Sequence, residues 1–63
     1  HLMRTALAQL SEAIREAFLL KHFAELTFVE VAEIQGVPVA TAKSRVLFAI
    51  RKLRELIGDD HDD

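Results

Sequence analysis

In the second half of the chain, apolar residues return every three or four positions. Ala42, Val46, Ala49, Ile50, Leu53 and Ile57 fall on one side of a helix from about Val39 to Ile57, with polar and charged residues on the other. At the usual rise per residue such a helix is about 30 Å long. Just before it, Gly36-Val37-Pro38 forms a turn. Glycine supplies the left-handed residue that closes a helix C-terminus, and proline lacks the N–H a continuing helix needs. Upstream, Thr27-Phe28-Val29-Glu30 has the capping-box spacing. In that motif the threonine oxygen accepts from the backbone N–H three residues on, and the glutamate carboxylate accepts from the threonine N–H. A short helix therefore starts at Phe28 and stops before Gly36. Ala32, one turn before the glycine, is small enough to let two helices cross closely, as a helix-turn-helix pair requires.

The first half carries two more helical stretches. Arg4 to Gln9 forms a short helix with Leu7 and Leu10 turned inward, and Ser11 is a good N-cap for the next helix. That second helix is expected from Glu12 to about Ala24, with Ile14, Ala17, Phe18, Leu20 and Phe23 facing the core. Arg15, Glu16, Lys21 and His22 then fall outside. His1-Leu2-Met3 reads as an expression remnant, leaving residues 4–58 as one domain and 59–63 as an acidic tail with nothing to bury, expected to be disordered. The fold class is all-α, a small four-helix bundle with a C-terminal helix-turn-helix.

Size and chemistry narrow the function. Sixty-three residues bury a modest core and leave little room for a catalytic cleft. There is no cysteine, so neither disulfides nor thiolate metal sites arise. Ser11 and Ser44 have no histidine at a predictable distance, His1 and His61 lie at the ends, and His22 suits the C-terminal end of its helix. No i, i+4 histidine pair exists, and the tail carboxylates lack the turn glycine of a calcium loop. The expectation is no enzyme, no metal, no cofactor and no small-molecule substrate. Apolar runs fall far short of the roughly 20 residues that span a bilayer, and no signal-peptide pattern opens the chain, so a cytoplasmic piece without a membrane partner is expected.

The net charge of −2 conceals an uneven distribution. Four of the ten acids lie in 59–63, and without them eight bases face six acids, giving a body of +2. Five bases, Lys43, Arg45, Arg51, Lys52 and Arg54, lie within twelve residues and precede Glu55 with no acid among them. That is either a solvated helix face or a nucleic-acid face, and its place after a capped helix and a Gly-Pro turn favours the second. A recognition helix needs short polar side chains near its N-terminus to reach base edges and long basic ones to reach phosphates. Thr41, Ser44 and Phe48 lie at i, i+3, i+7 with Lys43 and Leu47 beside them, so these five form the face expected to enter the major groove. Lys43 is the best base reader, since lysine donates to guanine acceptors there. Arg45 flanks the apolar stripe and either pairs with Glu30 or Glu33 or touches DNA. Arg51, Lys52 and Arg54, two or more turns on, either meet phosphates or stay as solvated charge. Leu47 and Phe48 fall outside the stripe and would put two large apolar groups on the DNA side, unless the helix is rotated and Phe48 packs against the second helix.

Thr41-Ala42-Lys43-Ser44-Arg45, preceded by Gly36-Val37-Pro38-Val39-Ala40 and followed by Arg51-Lys52-Leu53-Arg54-Glu55-Leu56, resembles the carboxy-terminal region 4 of bacterial sigma factors of the extracytoplasmic-function type. The likeness extends upstream through Leu10-Ser11-Glu12, Arg15-Glu16, Leu19 to Phe23, Leu26-Thr27 and Glu30 to Ile34. It implies a fold of the winged-helix-like, sigma region 4 type that binds the minus 35 promoter element, packs on the flap of the RNA polymerase core's β subunit, and can be covered by an anti-sigma factor. The chain departs from the pattern at Ser11, where proline is usual, and at Glu25, where glycine is common. It also has Ala40-Thr41-Ala42 in place of Gly-Thr-Val, and Phe48 and Ile50 where arginines are frequent. A non-glycine in a left-handed conformation costs on the order of 1 kcal/mol, so a looser or differently shaped connection is expected at Glu25. Two rivals stand beside promoter reading: a sigma-like helix-turn-helix that serves mainly protein interaction, and a response-regulator output domain dimerising through its last helix.

Overall fold

Local capping divides the chain into its elements. The computed structural model describes residues 2–58, in which four helices succeed one another: α1 (Leu2–Leu7), α2 (Glu12–His22), α3 (Phe28–Gln35) and α4 (Val39–Ile57). No strand, and so no wing, is present among the described residues. The Thr27 N–H donates to Glu30 Oε1 at 2.8 Å and the Glu30 N–H to Thr27 Oγ1 at 3.1 Å, completing the capping box. Gly36, at φ +67°, closes α3 in the left-handed conformation. Pro38 then starts α4 without a side-chain cap, its carbonyl accepting from the N–H groups of Thr41 and Ala42. Gly58 ends α4 at φ +82°.

α4 is the axis of the bundle, and α1, α2 and α3 all pack against it. Its apolar stripe divides between two clusters. Ala42 and Val46 meet Ala17, Val31 and Ala32, while Ala49 and Leu53 meet Ala6, Leu10 and Phe18. Ile50 touches both. Small residues sit where helices cross, and Ala17, Ala42 and Ala49 are wholly buried, which brings the backbones close. Ala32 is buried at the α3 crossing as its size predicts.

Several expectations for the first half need correction. α1 begins two residues early, at Leu2, and ends at Leu7, after which Gln9 and Leu10 close a tight turn through the Ala6 and Leu7 carbonyls. α2 stops at His22 rather than near Ala24, because the chain wraps back: the N–H groups of Phe23 and Ala24 both donate to the Leu19 carbonyl and that of Leu26 to Leu20. Glu25 accommodates this reversal by taking the left-handed conformation itself, at φ +59°, so the connection keeps a tight shape without glycine. Phe23 is consequently turned outward, 68% exposed, and Leu26 packs against the Val31 cluster instead. Arg15 and Lys21 are not plain surface charges. Arg15 donates to the carbonyls of Leu10 and Leu7 at 3.1 and 3.4 Å, fastening the end of α1 to α2, and the Lys21 ammonium lies 4.9 Å from the Phe28 ring centre. His1 and the expected acidic tail, 59–63, lie outside the described residues. Among the described residues no helix is long and apolar enough to cross a membrane.

Candidate nucleic-acid interface

The buried stripe fixes what α4 shows to its surroundings. With Ala42, Val46, Ala49 and Leu53 inward, a turn of 100° per residue puts Ser44, Leu47, Phe48 and Arg51 on the opposite side and Lys43 at its edge, about 90° from the stripe, and all five are exposed. The short turn Gly36–Pro38 holds the N-terminal half of this face beside the end of α3. Phe48 is 42% exposed and Leu47 50%, so the rotated arrangement with Phe48 packed into the core is not the one adopted. The Phe48 ring lies 6.0 Å from the Arg51 guanidinium, within reach of a cation–π contact.

The other three expected site residues stand at the edge and are half-buried. Thr41 lies beside the start of the stripe. Lys52 Nζ is 3.7 Å from Glu55 Oε1, an exposed i, i+3 pair that holds little energy but sets an acid next to this cation. Arg45 pairs with neither Glu30 nor Glu33; its Nη1 donates to the Gln35 side-chain oxygen at 2.8 Å. The reason is placement, since Glu30 and Glu33 occupy the exposed side of α3 whereas Gln35 ends that helix next to α4. Gln35 also donates to Glu16 and to the Ala13 carbonyl of α2. Gln35 carries no pattern that marks it in the sequence, because a neutral amide at a helix end has no periodic or charge signature, and Glu16 reads there only as an outward charge.

On this face, short polar and basic side chains near the helix start are succeeded by further cations about two turns on, a layout suited to bases and then phosphates. Glu55 is the first acid along α4. Among the described residues no group of three or more His, Asp or Glu gathers as a metal site. An apolar groove lies on a different side, lined by Met3, Phe18, Ile50, Leu53, Arg54 and Ile57. Comparison with known proteins adds one finding: the family model described as sigma-70, region 4 matches residues 1–53. No curated protein and no solved structure gives a match.

Proposed function

We infer, because the chain belongs to the sigma-70 region 4 family and turns a basic face outward from the second helix of its helix-turn-helix, that it reads the minus 35 element of promoters as part of an extracytoplasmic-function sigma factor. Sigma region 4 is a family of DNA-binding domains rather than of enzymes, and it works with RNA polymerase at promoters. The observation that carries the finer reading is the exposure of Lys43, Ser44 and Arg51 together on α4, away from the buried stripe. In this reading Lys43 and Ser44 reach base edges, one of the pair Leu47 and Phe48 can meet a thymine methyl group, and Arg51 meets phosphate. Thr41 and Lys52 flank the face. Arg45 and Lys52 are already engaged, with Gln35 and Glu55, and count for less as contacts.

The core enzyme would hold the domain through the flap of its β subunit, in the cytoplasm. A second reading is favoured by one observation: Leu47 and Phe48 form an adjacent exposed apolar pair on the face that would meet DNA. Such a pair suits a protein cover, so an anti-sigma factor is the partner proposed for the inactive state. The response-regulator alternative has no support from the family match.

Selection of bound sequences from randomised DNA, with the full-length sigma factor and core polymerase, tests the main reading. Enrichment of one short motif at the minus 35 spacing is the expected result. A selected pool without any motif would reduce the domain to an interaction module.

A further inference from the structure

One hydrogen-bonded chain of polar groups ties three helices together beside the outward face of α4. The Gln35 amide nitrogen donates to the Ala13 carbonyl at 2.9 Å and to Glu16 Oε1 at 2.8 Å, both on α2. Its oxygen accepts from Arg45 Nη1 of α4 at 2.8 Å. The amide therefore lies between an anion and a cation, each bonded to the end of the amide dipole that it favours, and bonds to charged partners are stronger than neutral ones. Few side chains can replace it. Glutamate would keep an acceptor for Arg45 but lose both donors and oppose Glu16, lysine would lose the acceptor, and asparagine is a methylene short. The backbone under Gln35 is fixed as well, since Gly36 comes next in the left-handed conformation and the Val37 N–H donates back to the Ala32 carbonyl at 3.1 Å.

What this chain restrains is rotation. α4 meets α2 and α3 at its N-terminal half through Ala42 and Val46, against Ala17, Val31 and Ala32. Val31 and Val46 are fully buried there, with Leu20, Leu26, Phe28 and Ile50 packed around them, but apolar contact is non-directional, and the hydrogen bonds add a restraint on twist that depends on angle. Arg45 comes directly after Ser44 and lies two positions from Lys43, so a twist at Arg45 redirects both.

We propose that Gln35 is a positioning residue for DNA reading: through Arg45, which serves as a strut instead of a phosphate contact, it fixes the rotation of α4 and the bearing of Lys43 and Ser44 on the bases. The inference rests on the promoter-reading function above.

The test compares the chain with Gln35→Ala, Arg45→Ala, the double variant, and the paired exchange Gln35→Glu with Glu16→Gln. The probes are a duplex selected from a randomised pool and the same duplex with one preferred base pair changed. Binding is measured over a range of salt, at a temperature where circular dichroism shows every variant folded. Each single alanine variant should lose most of the discrimination between the two duplexes, about tenfold, the size of one base-pair preference. The double variant should lose no more than either single one, since both break the same chain. Salt dependence should stay unchanged in all of them. The paired exchange should restore most of the discrimination, because the carboxylate at 35 accepts from the amide at 16 and from Arg45, and only the bond to the Ala13 carbonyl is lost.

Full discrimination by Gln35→Ala, with or without a lower melting temperature, overturns the proposal. So does an Arg45→Ala variant whose salt slope flattens by about 0.9, the signature of one lost phosphate contact. An unmodified chain that discriminates while Gln35→Ala does so equally refutes this inference alone. An unmodified chain that shows no preference, where the full-length factor with core polymerase also enriches no motif, refutes promoter reading along with it.

Discussion

Replacing Phe48 by arginine separates a ring lying on the DNA face from one that the core depends on. Phe48 is 42% exposed, so somewhat more than half of its surface is covered. Full burial of a phenylalanine is worth about 1.5–3 kcal/mol, which puts the covered part at about 1–1.7 kcal/mol. The arginine stem lies over some of the same surface and recovers part of that. Losing the exposed cation–π contact with Arg51, 6.0 Å away, costs about 0.5–1 kcal/mol. A new like charge three residues from Arg51 costs a few tenths more. The sum for Phe48→Arg is a loss of about 1–2 kcal/mol, against a total of roughly 3–9 kcal/mol expected for a chain of this size. The variant should stay folded, with its melting temperature lowered by about 5–15 °C. Its affinity for a promoter duplex at low salt should rise, with a salt slope steeper by about 0.9 for one added phosphate contact. Capture by a protein that covers the apolar pair should weaken. A thermal melt and then titrations at several salt concentrations check all of this. A stability loss above about 3 kcal/mol would place the ring in the core, and a folded variant with an unchanged salt slope would take position 48 off the DNA.

The parts of the fold that were legible in the sequence are those decided by neighbours along the chain. Thr27 with Glu30, Gly36 with Pro38, and Gly58 each terminate a helix by local bonding, and α3 and α4 have the bounds those residues imply. The outward face of α4 comes from the same logic, because a stripe at 3.6-residue spacing leaves one side for the surroundings. The end of α2 was not legible, since it depends on Glu25 accepting a conformation that glutamate rarely takes, and Phe23 turns outward as a result. The partners of the arginines escaped for a different reason. Charge patterning looks for carboxylates, yet Arg15 bonds the Leu7 and Leu10 carbonyls and Arg45 the Gln35 amide. Neutral acceptors at helix ends become visible only when the helices are placed. Arg45 is half-buried because it borders the stripe, where a helical wheel assigns neither side, whereas Thr41 and Lys52 stand no closer to the stripe than the exposed Lys43.

The same geometry sets the outcome of other changes to the chain. Lys43→Ala should change which promoter bases are preferred, whereas Arg51→Ala should weaken all duplexes alike and flatten the salt slope by about 0.9. Duplex-variant titrations decide it, and an unchanged preference in Lys43→Ala would remove it from the groove. Deleting residues 59–63 takes away four acids and should strengthen binding to any DNA at low salt without altering preference. Equal affinities at low ionic strength would show that these charges lie too far from the phosphates. Glu25→Gly tests the reversal after α2. Glu25 sits at φ +59°, where an L-residue pays roughly 1–2 kcal/mol, and glycine avoids that penalty but loses about 0.4–1 kcal/mol to its more flexible unfolded chain. Among the described residues no hydrogen bond or ion pair engages the Glu25 carboxylate, so its removal should cost little. A gain of up to about 1 kcal/mol is therefore expected in chemical denaturation. Gly36→Ala supplies the opposite sign at φ +67°: nothing lies within 4 Å of the added Cβ, so its loss of about 1 kcal/mol comes from the backbone alone. If Glu25→Gly were instead destabilising by as much as Gly36→Ala, strain at position 25 would be too small to outweigh chain entropy. The tight reversal would then owe its shape to the Leu19 and Leu20 carbonyls that hold Phe23, Ala24 and Leu26.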